Sequence, residues 1–283
     1  MGKGAKPGSN VKEETRLLEH LKLMDLVLEV LDARLPLTTI NNRMQKLLDK
    51  KKRVFVLNKA DLAEEEVTGR WLEYFSTEKG PVFSFTARHR TSVKQIEKTL
   101  DYMRSKEQSY RRPLRFMVVG IPNVGKSSVI NRLAQRGAAR TGERPGITRG
   151  PQWIKLRSGW DMLDTPGLLS PFLRDNWSLM ALGAIGSLEI GAYDEEKTAI
   201  WLLEQYRSHG KIAQLCSYYS FFVDAKALEP EAIFLKIGAV RGCLGKGGKI
   251  DSRKTAGIIL RDFRRGVLGR LSLERPEEFH EQE

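Results

Sequence analysis

Residues 120–128 read GIPNVGKSS; an apolar run, Leu114–Val119, precedes them, and helical spacing over Lys126–Gln135 follows. A G-x-x-x-x-G-K-[ST] loop between a strand and a helix leaves few folds open. Its glycines let backbone N–H groups approach phosphate oxygens, and the start of the helix adds partial positive charge. Asn123, Val124, Gly125, Lys126, Ser127 and Ser128 are therefore candidate nucleotide-binding residues. Lys126 is placed to reach the β- and γ-phosphates, a catalytic role, and Ser127 to ligate magnesium.

A second motif, NKAD at 58–61, follows the apolar run Val54–Leu57. Asn58 can bond a purine on its Hoogsteen edge, and Lys59 can lay its stem against the ring. Asp61 can accept from N1 and the exocyclic amine, a pair of donors that only guanine offers together. Adenine would leave that carboxylate unpaired, at a cost of about 1–3 kcal/mol. NKxD alone is a weak pattern; in the same chain as a P-loop it is a strong one.

Three further segments fit the same site. DTPG at 164–167 follows a short strand. Asp164 suits a magnesium partner acting through water, and the Gly167 N–H a γ-phosphate sensor with a catalytic role. Thr148 in PGITRG is the candidate to close over magnesium and γ-phosphate, although an ordinary loop threonine would also look like this. Thr86-Ala87-Arg88, after the run Val82–Phe85, resembles the loop whose backbone contacts the guanine oxygen.

The order of these motifs is unusual. A GTPase ordinarily runs P-loop, threonine loop, DxxG, NKxD and then the TAR-like loop, whereas here the last two come first. One doubly wound sheet accommodates both orders, because strands that are neighbours in space can be made in either sequence. The polar, basic stretch Ser105–Pro113 would join the old ends. As a consequence, DTPG leads directly into whatever follows it in the chain.

Two residues bear on hydrolysis. Leu168 follows DTPG where many GTPases carry a water-orienting glutamine, and an apolar side chain cannot orient water. Asn123 stands where some GTPases lacking that glutamine bind potassium; it also suits a turn. Magnesium, with potassium as a second ion, is the expected cofactor set.

The rest of the first half alternates strands and helices, which argues for an α/β doubly wound fold. Helical spacing covers Val11–Leu23, Asn41–Lys50, Ala63–Phe75 and Val93–Arg104, and Leu26–Leu31 reads as a buried strand. Glu64, Glu65 and Glu66 fall in the first turn of the third of these helices, where the helix dipole favours acids. Arg136–Arg149 reads as a long loop, and Gln152–Leu156 with Asp161–Leu163 as a hairpin around Ser158-Gly159. Beyond Asn176 the strand signal stops, and Trp177–Ile190, Glu195–Tyr206, Leu228–Lys236 and Ser252–Arg264 have helical spacing. The expected organisation is a nucleotide-binding domain over 1–175 and an all-helical domain over 176–283.

With 283 residues, about two domains are expected. No apolar run approaches the roughly 20 residues that span a bilayer, and MGKGAKPGSN does not read as a secretory signal. Cys216 and Cys243 lack metal-ligand spacing and are expected as reduced thiols in a cytoplasmic protein. The net charge of +13 points to a polyanionic partner, and by itself fits RNA, DNA or acidic membrane. Between 241 and 270, nine basic residues face only Asp251 and Asp262. Among them Arg241, Lys246, Lys249, Arg253 and Lys254 are candidate RNA contacts, and the glycines of RGCLGKGGK allow close approach to a phosphate backbone. A solvated helix face is the plainer reading of the same charges.

With the permuted order established, the chain resembles the ribosome biogenesis GTPase A (YlqF-like) family over nearly its whole length. The likeness rests on LKLMDLVLEVLDARLP at 21–36, the five motifs, RPGITRGPQWIK at 144–155 and the ending RGCLGKGGKID…GRLSLERP. It implies a cytoplasmic GTPase that binds the maturing large ribosomal subunit, contacts its rRNA and leaves after hydrolysis; separately, a monomer off the ribosome is the expectation, which the sequence does not decide. A mitochondrial branch does the same for organelle ribosomes. Family members commonly carry PGHM before the first helix, with a histidine thought to take part in hydrolysis; here Ser9 of Pro7-Gly8-Ser9-Asn10 holds that register. Serine has no comparable basicity. A GTP-gated RNA-binding module with negligible turnover therefore stands as the alternative, and a GTPase of tRNA modification as a third reading.

Overall fold

The apolar runs become the strands of one six-stranded sheet, ordered β3-β2-β1-β4-β6-β5. The computed structural model describes residues 15, 18–41, 45, 47–87, 91–106, 112–137, 152–156, 159–164, 171–221 and 229–280. The strands are β1 (Leu26–Asp32), β2 (Lys52–Asn58), β3 (Val82–Phe85), β4 (Leu114–Val119), β5 (Gln152–Leu156) and β6 (Trp160–Asp164). All neighbours run parallel except β5, which pairs antiparallel with β6. Every residue of β1 is buried, as expected of a parallel strand covered on both faces. Helices α1 (Glu65–Glu78), α2 (Thr91–Lys106) and α3 (Lys126–Gly137) connect the strands.

The strand order reverses between β1 and β4. Strands β2 and β3 lie to one side of that point and β6 and β5 to the other. In open α/β sheets the crevice at such a reversal, outside the carboxyl ends of the strands, is where ligands bind. NKAD leaves β2, Thr86-Ala87 leaves β3, the P-loop leaves β4 and Asp164 ends β6, so their segments emerge at one edge of the sheet. Permutation changes which loop is made first, not which edge it occupies.

The helical part contains α4 (Asn176–Ile185), α5 (Glu195–Ser208), α6 (Ile212–Tyr218), α7 (Pro230–Val240), α8 (Ser252–Arg265) and α9 (Glu277–His280). Asp175, Asp194 and Asp251 cap α4, α5 and α8 by accepting backbone N–H bonds. The core of this unit holds Tyr206 edge-on to Phe263, and half-buried Trp177 and Trp201 meet edge-on at its margin. Cys216 and Cys243 are free thiols buried in it, and burial pushes the Cys216 thiol up to about 11.

Several boundaries differ from the sequence expectations. The helix expected to reach Ile190 stops at Ile185, because Gly186 turns left-handed and its N–H bonds back to Gly183 and Leu182. Helix α6 was not expected; it is short, and Lys211 at its N-cap makes no side-chain capping bond. Helix α1 begins at Glu65 rather than Ala63.

That last difference matters for organisation. Contacts group Met1–Ala60 with Thr68–Phe172, and Asp61–Val67 with Leu173–Glu283. The short segment that begins with Asp61, the last residue of the guanine motif, is built into the helical unit. Leu271 donates its N–H to Leu62 O, and the Glu64 N–H donates to Ser272 Oγ at 3.0 Å. The Glu64 carboxylate accepts from Ser272 N at 3.2 Å, and pairs with Lys211 at 3.2 Å and Arg275 at 3.0 Å. Partial burial alone would raise its pKa, but these partners together hold it below the ordinary range.

Candidate functional site

The P-loop backbone takes conformations that its residues suit. Gly120 and Gly125 have φ of 153° and 97°, and Asn123 is left-handed at 61°. A Cβ at Gly120 would collide with the Val30 carbonyl, and one at Gly125 with the Asn58 carboxamide. Lys126 Nζ donates to the carbonyls of Gly120 at 2.9 Å and Ile121 at 2.8 Å, inside the loop it serves. Ser127 is exposed on the first turn of α3, and Val124 is buried.

The guanine motif is fastened to this loop. Asn58 Nδ2 donates to Val124 O at 2.7 Å, and Lys59 Nζ to Asn123 O at 2.6 Å. These bonds join residues 66 and 64 positions apart, so a site split by permutation is closed at the level of single hydrogen bonds. Lys59 itself has φ of 59°, and this strained left-handed backbone is held by its neighbours. Asp61 is half-buried, two residues further on, at the start of the segment grouped with the helical unit.

Behind Lys59 lies a cluster that the motif analysis did not single out as functional. Asp32, at the end of β1, is fully buried; Lys59 Nζ lies 2.9 Å from its Oδ2 and Arg34 Nη2 2.8 Å from the same oxygen. The Arg34 Nε and N–H bond its Oδ1, at 2.9 and 3.1 Å. Burial alone would raise the Asp32 pKa, but the two cations and their hydrogen bonds outweigh it and hold the carboxyl well below the usual range. The signal was present in DARLP at 32–36: an acid ending a buried strand, with an arginine two residues later.

Thr86 is half-buried and Ala87 exposed after β3. The Ala87 carbonyl accepts from Nε of Arg132 at 2.8 Å and from its Nη2, which ties this loop to the P-loop helix α3. Arg88, Thr148, Gly167, Leu168 and Ser9 lie outside the described residues, as does the side chain of Asp164.

A family model described as 50S ribosome-binding GTPase matches residues 115–237. The Bacillus cereus protein named Ribosome biogenesis GTPase A is 37% identical over 284 residues, covering 98% of this chain and 95% of that one. The chain belongs to the ribosome biogenesis GTPase A family. The GDP-bound structure of TM YlqF aligns with a TM-score of 0.71 at 29% identity, over 93% of this chain and 99% of the other. GNP-bound YlqF from T. maritima gives 0.67 at 27% identity, over 94% and 99%.

This GTPase therefore has a circularly permuted, doubly wound α/β domain followed by an all-helical one. The hydroxyl of Ser127, exposed on the first turn of α3, is a hard oxygen donor of the kind magnesium takes, and β6 brings Asp164 into register with Val118, just before the P-loop. Among the described residues no helix is long and apolar enough to cross a membrane.

In the helical unit, Lys246, Lys249, Arg253 and Lys254 are exposed. The first two sit on a small turn closed by a bridge between Leu244 and Ile250, with the Asp251 N–H bonded to Cys243 O. Arg241 is less available. It lies over the rings of Tyr219 and Tyr218, at 4.9 and 5.3 Å, and 3.8 Å from Asp262. Arg264, also part of the basic block, instead closes the end of α4, bonding Ala184 O at 2.9 Å and Gly183 O at 2.7 Å.

Proposed function

We propose that this GTPase is a cytoplasmic assembly factor for the large ribosomal subunit, binding the precursor particle through its rRNA and leaving after hydrolysis. The observation that carries the nucleotide half is the pair of bonds from Asn58 and Lys59 to the P-loop carbonyls. They support one site in which Asn58, Lys59 and Asp61 read guanine, with Thr86, Ala87 and Arg88 beside them. Asn123, Val124, Gly125, Lys126, Ser127, Ser128 and the Gly167 N–H hold the phosphates. Ser127 and Thr148 hold magnesium, with Asp164 acting through water. When bound, that ion neutralises charge on the β- and γ-oxygens. Thr148, Lys126 and Gly167 are the residues we assign to the reacting phosphate, and Asn123 to a potassium ion beside it.

The ribosomal half rests on the family and on exposed cations. We assign residues 1–175 to the nucleotide and 176–283 to RNA, with Arg241, Lys246, Lys249, Arg253 and Lys254 as contacts. The protein is a monomer off the ribosome. The chain passes between the two units three times, at Ala60–Asp61, Val67–Thr68 and Phe172–Leu173. DTPG leads through Leu168–Asn176 into the helical domain, and Ala60 leads directly into the Asp61–Val67 segment grouped with it. A nucleotide-dependent change in either loop therefore has a covalent path to the RNA-binding helices.

Multiple-turnover phosphate release, with and without large-subunit precursor, tests the proposal. Slow release that the particle stimulates is expected. Negligible release in both conditions would favour a GTP-gated RNA-binding module, the reading that Ser9 and Leu168 motivate.

A further inference from the structure

We propose that the exposed face of α8 receives a phosphate backbone of structured RNA, and that Gly257 is the residue that lets it come close. The inference rests on the RNA-binding reading above and deepens it to one surface. Helix α8 buries Thr255, Ala256, Ile259, Leu260, Asp262 and Phe263. Its other side exposes Arg253, Lys254, Arg261 and Arg265, and the side chains of Lys254 and Arg261 are 65% and 61% accessible.

Residues 253, 257, 261 and 265 recur every four positions, which places them along one ridge of the helix. That ridge reads Arg, Gly, Arg, Arg. Two acids lie in the helix region. Asp251 is engaged as the N-cap, and Asp262, buried against Tyr219 OH and Arg241, lies 3.8 Å from Arg261 Nε and offsets part of one ridge charge, so the ridge stays net basic.

Glycine at 257 has no internal explanation. Its backbone is helical, and a Cβ there would meet nothing within 4 Å. At Gly238 in α7, by contrast, a Cβ would meet the Ile250 and Thr255 side chains at 2.6 and 2.7 Å, and at Gly183 in α4 the Tyr193 ring at 2.8 Å. Gly266 is needed for its φ of 75°, which ends α8. Glycine within a helix is destabilising relative to alanine, so an open one on a basic ridge fits close approach by something outside the chain. Glycine-bearing loops of RNA-binding modules use the same freedom to bring backbone against phosphates. Gly69 in α1 is equally open, but its neighbours four positions away are Glu65 and Glu73, so that site would repel a polyanion.

The experiment measures affinity of the full chain, with a non-hydrolysable GTP analogue, for purified large ribosomal subunits and for deproteinised large-subunit rRNA. A salt series and thermal unfolding accompany it. Gly257→Ala should raise the melting temperature by roughly 2–4 °C while weakening binding to both probes by about 3–10-fold. Gly257→Leu should weaken binding further. Gly69→Ala should stabilise the protein and leave binding unchanged. Arg253→Glu with Arg261→Glu should weaken binding and flatten its salt dependence. Full affinity in both Gly257 variants, with the charge-reversed variant weakened, overturns the close approach but not RNA binding. Full affinity in all of them overturns both. Weakened binding to the particle but not to rRNA assigns the face to a ribosomal protein and also overturns the proposal.

Discussion

Lys59 Nζ lies between the Asn123 carbonyl, at 2.6 Å, and the Asp32 carboxylate, at 2.9 Å. One ammonium thus joins the guanine motif, the P-loop and the end of β1, three segments that are far apart in sequence. Asp32 is fully buried with Arg34 on its other side, so removing its charge leaves two cations without their shared anion. Asp32→Asn should destabilise the protein by about 3–5 kcal/mol, as loss of one partner in a buried pair does. Urea unfolding measures this.

The same carboxylate sets a pH dependence. Its folded pKa is depressed, so its contribution is fully present above the unfolded value near ~3.9 and is lost as pH falls toward the folded value. Stability measured from pH 6 downward should fall on an acid limb that is shallower in Asp32→Asn. An unchanged slope would mean that the ion cluster is not formed in solution.

Asp61→Asn should shift base preference from guanine toward xanthine, because an amide reverses half of the donor–acceptor pattern that Asp61 offers. Titration with GDP and xanthosine diphosphate is the measurement. Retained guanine preference would remove Asp61 from base reading.

Hydrolysis should be faster in potassium than in sodium. A cation at Asn123 would supply positive charge where it builds up during transfer, the role for which an arginine finger is worth ~10³–10⁵ in rate. Asn123→Ala should abolish the difference. Equal rates in the two salts would leave Asn123 as a residue chosen for its left-handed turn, with φ of 61°.

Glu64 tests the segment that begins with Asp61. Its bonds to Ser272, Lys211 and Arg275 hold Asp61–Val67 in the helical unit. Glu64→Ala should cost about 1–2 kcal/mol and reduce the influence of nucleotide on ribosome binding. Calorimetry reads the first effect and co-sedimentation the second.

Most of the sheet could be read from the sequence because β1 to β4 are largely apolar runs ended by a motif or a turn, and β5 and β6 alternate around a glycine-bearing turn. β3, β4 and β5 have the expected limits, and β2 gains one residue at its end and two at its start. The P-loop and Asn58-Lys59 were legible because phosphate and guanine recognition need fixed residue types at fixed spacing. The Asp61–Val67 clasp was not. Glu64, Glu65 and Glu66 look like acids placed for a helix dipole, yet Glu64 precedes the helix and serves partners more than 140 residues away, at Lys211, Ser272 and Arg275. Leu188 and Ile190 continued the apolar pattern of α4 beyond Gly186, which ends the helix, and Ile190 is exposed. Long-range pairing and single-residue backbone turns leave little trace in periodicity.

The central claim is that the γ-phosphate governs attachment to the ribosome through the helical domain. Affinity of the full chain for large-subunit precursors, measured with a GTP analogue and with GDP across a salt series, tests it most directly. The account predicts tighter binding with the analogue, by about 5–150-fold, and binding that weakens with salt in both states. Equal affinity with the two nucleotides would contradict it.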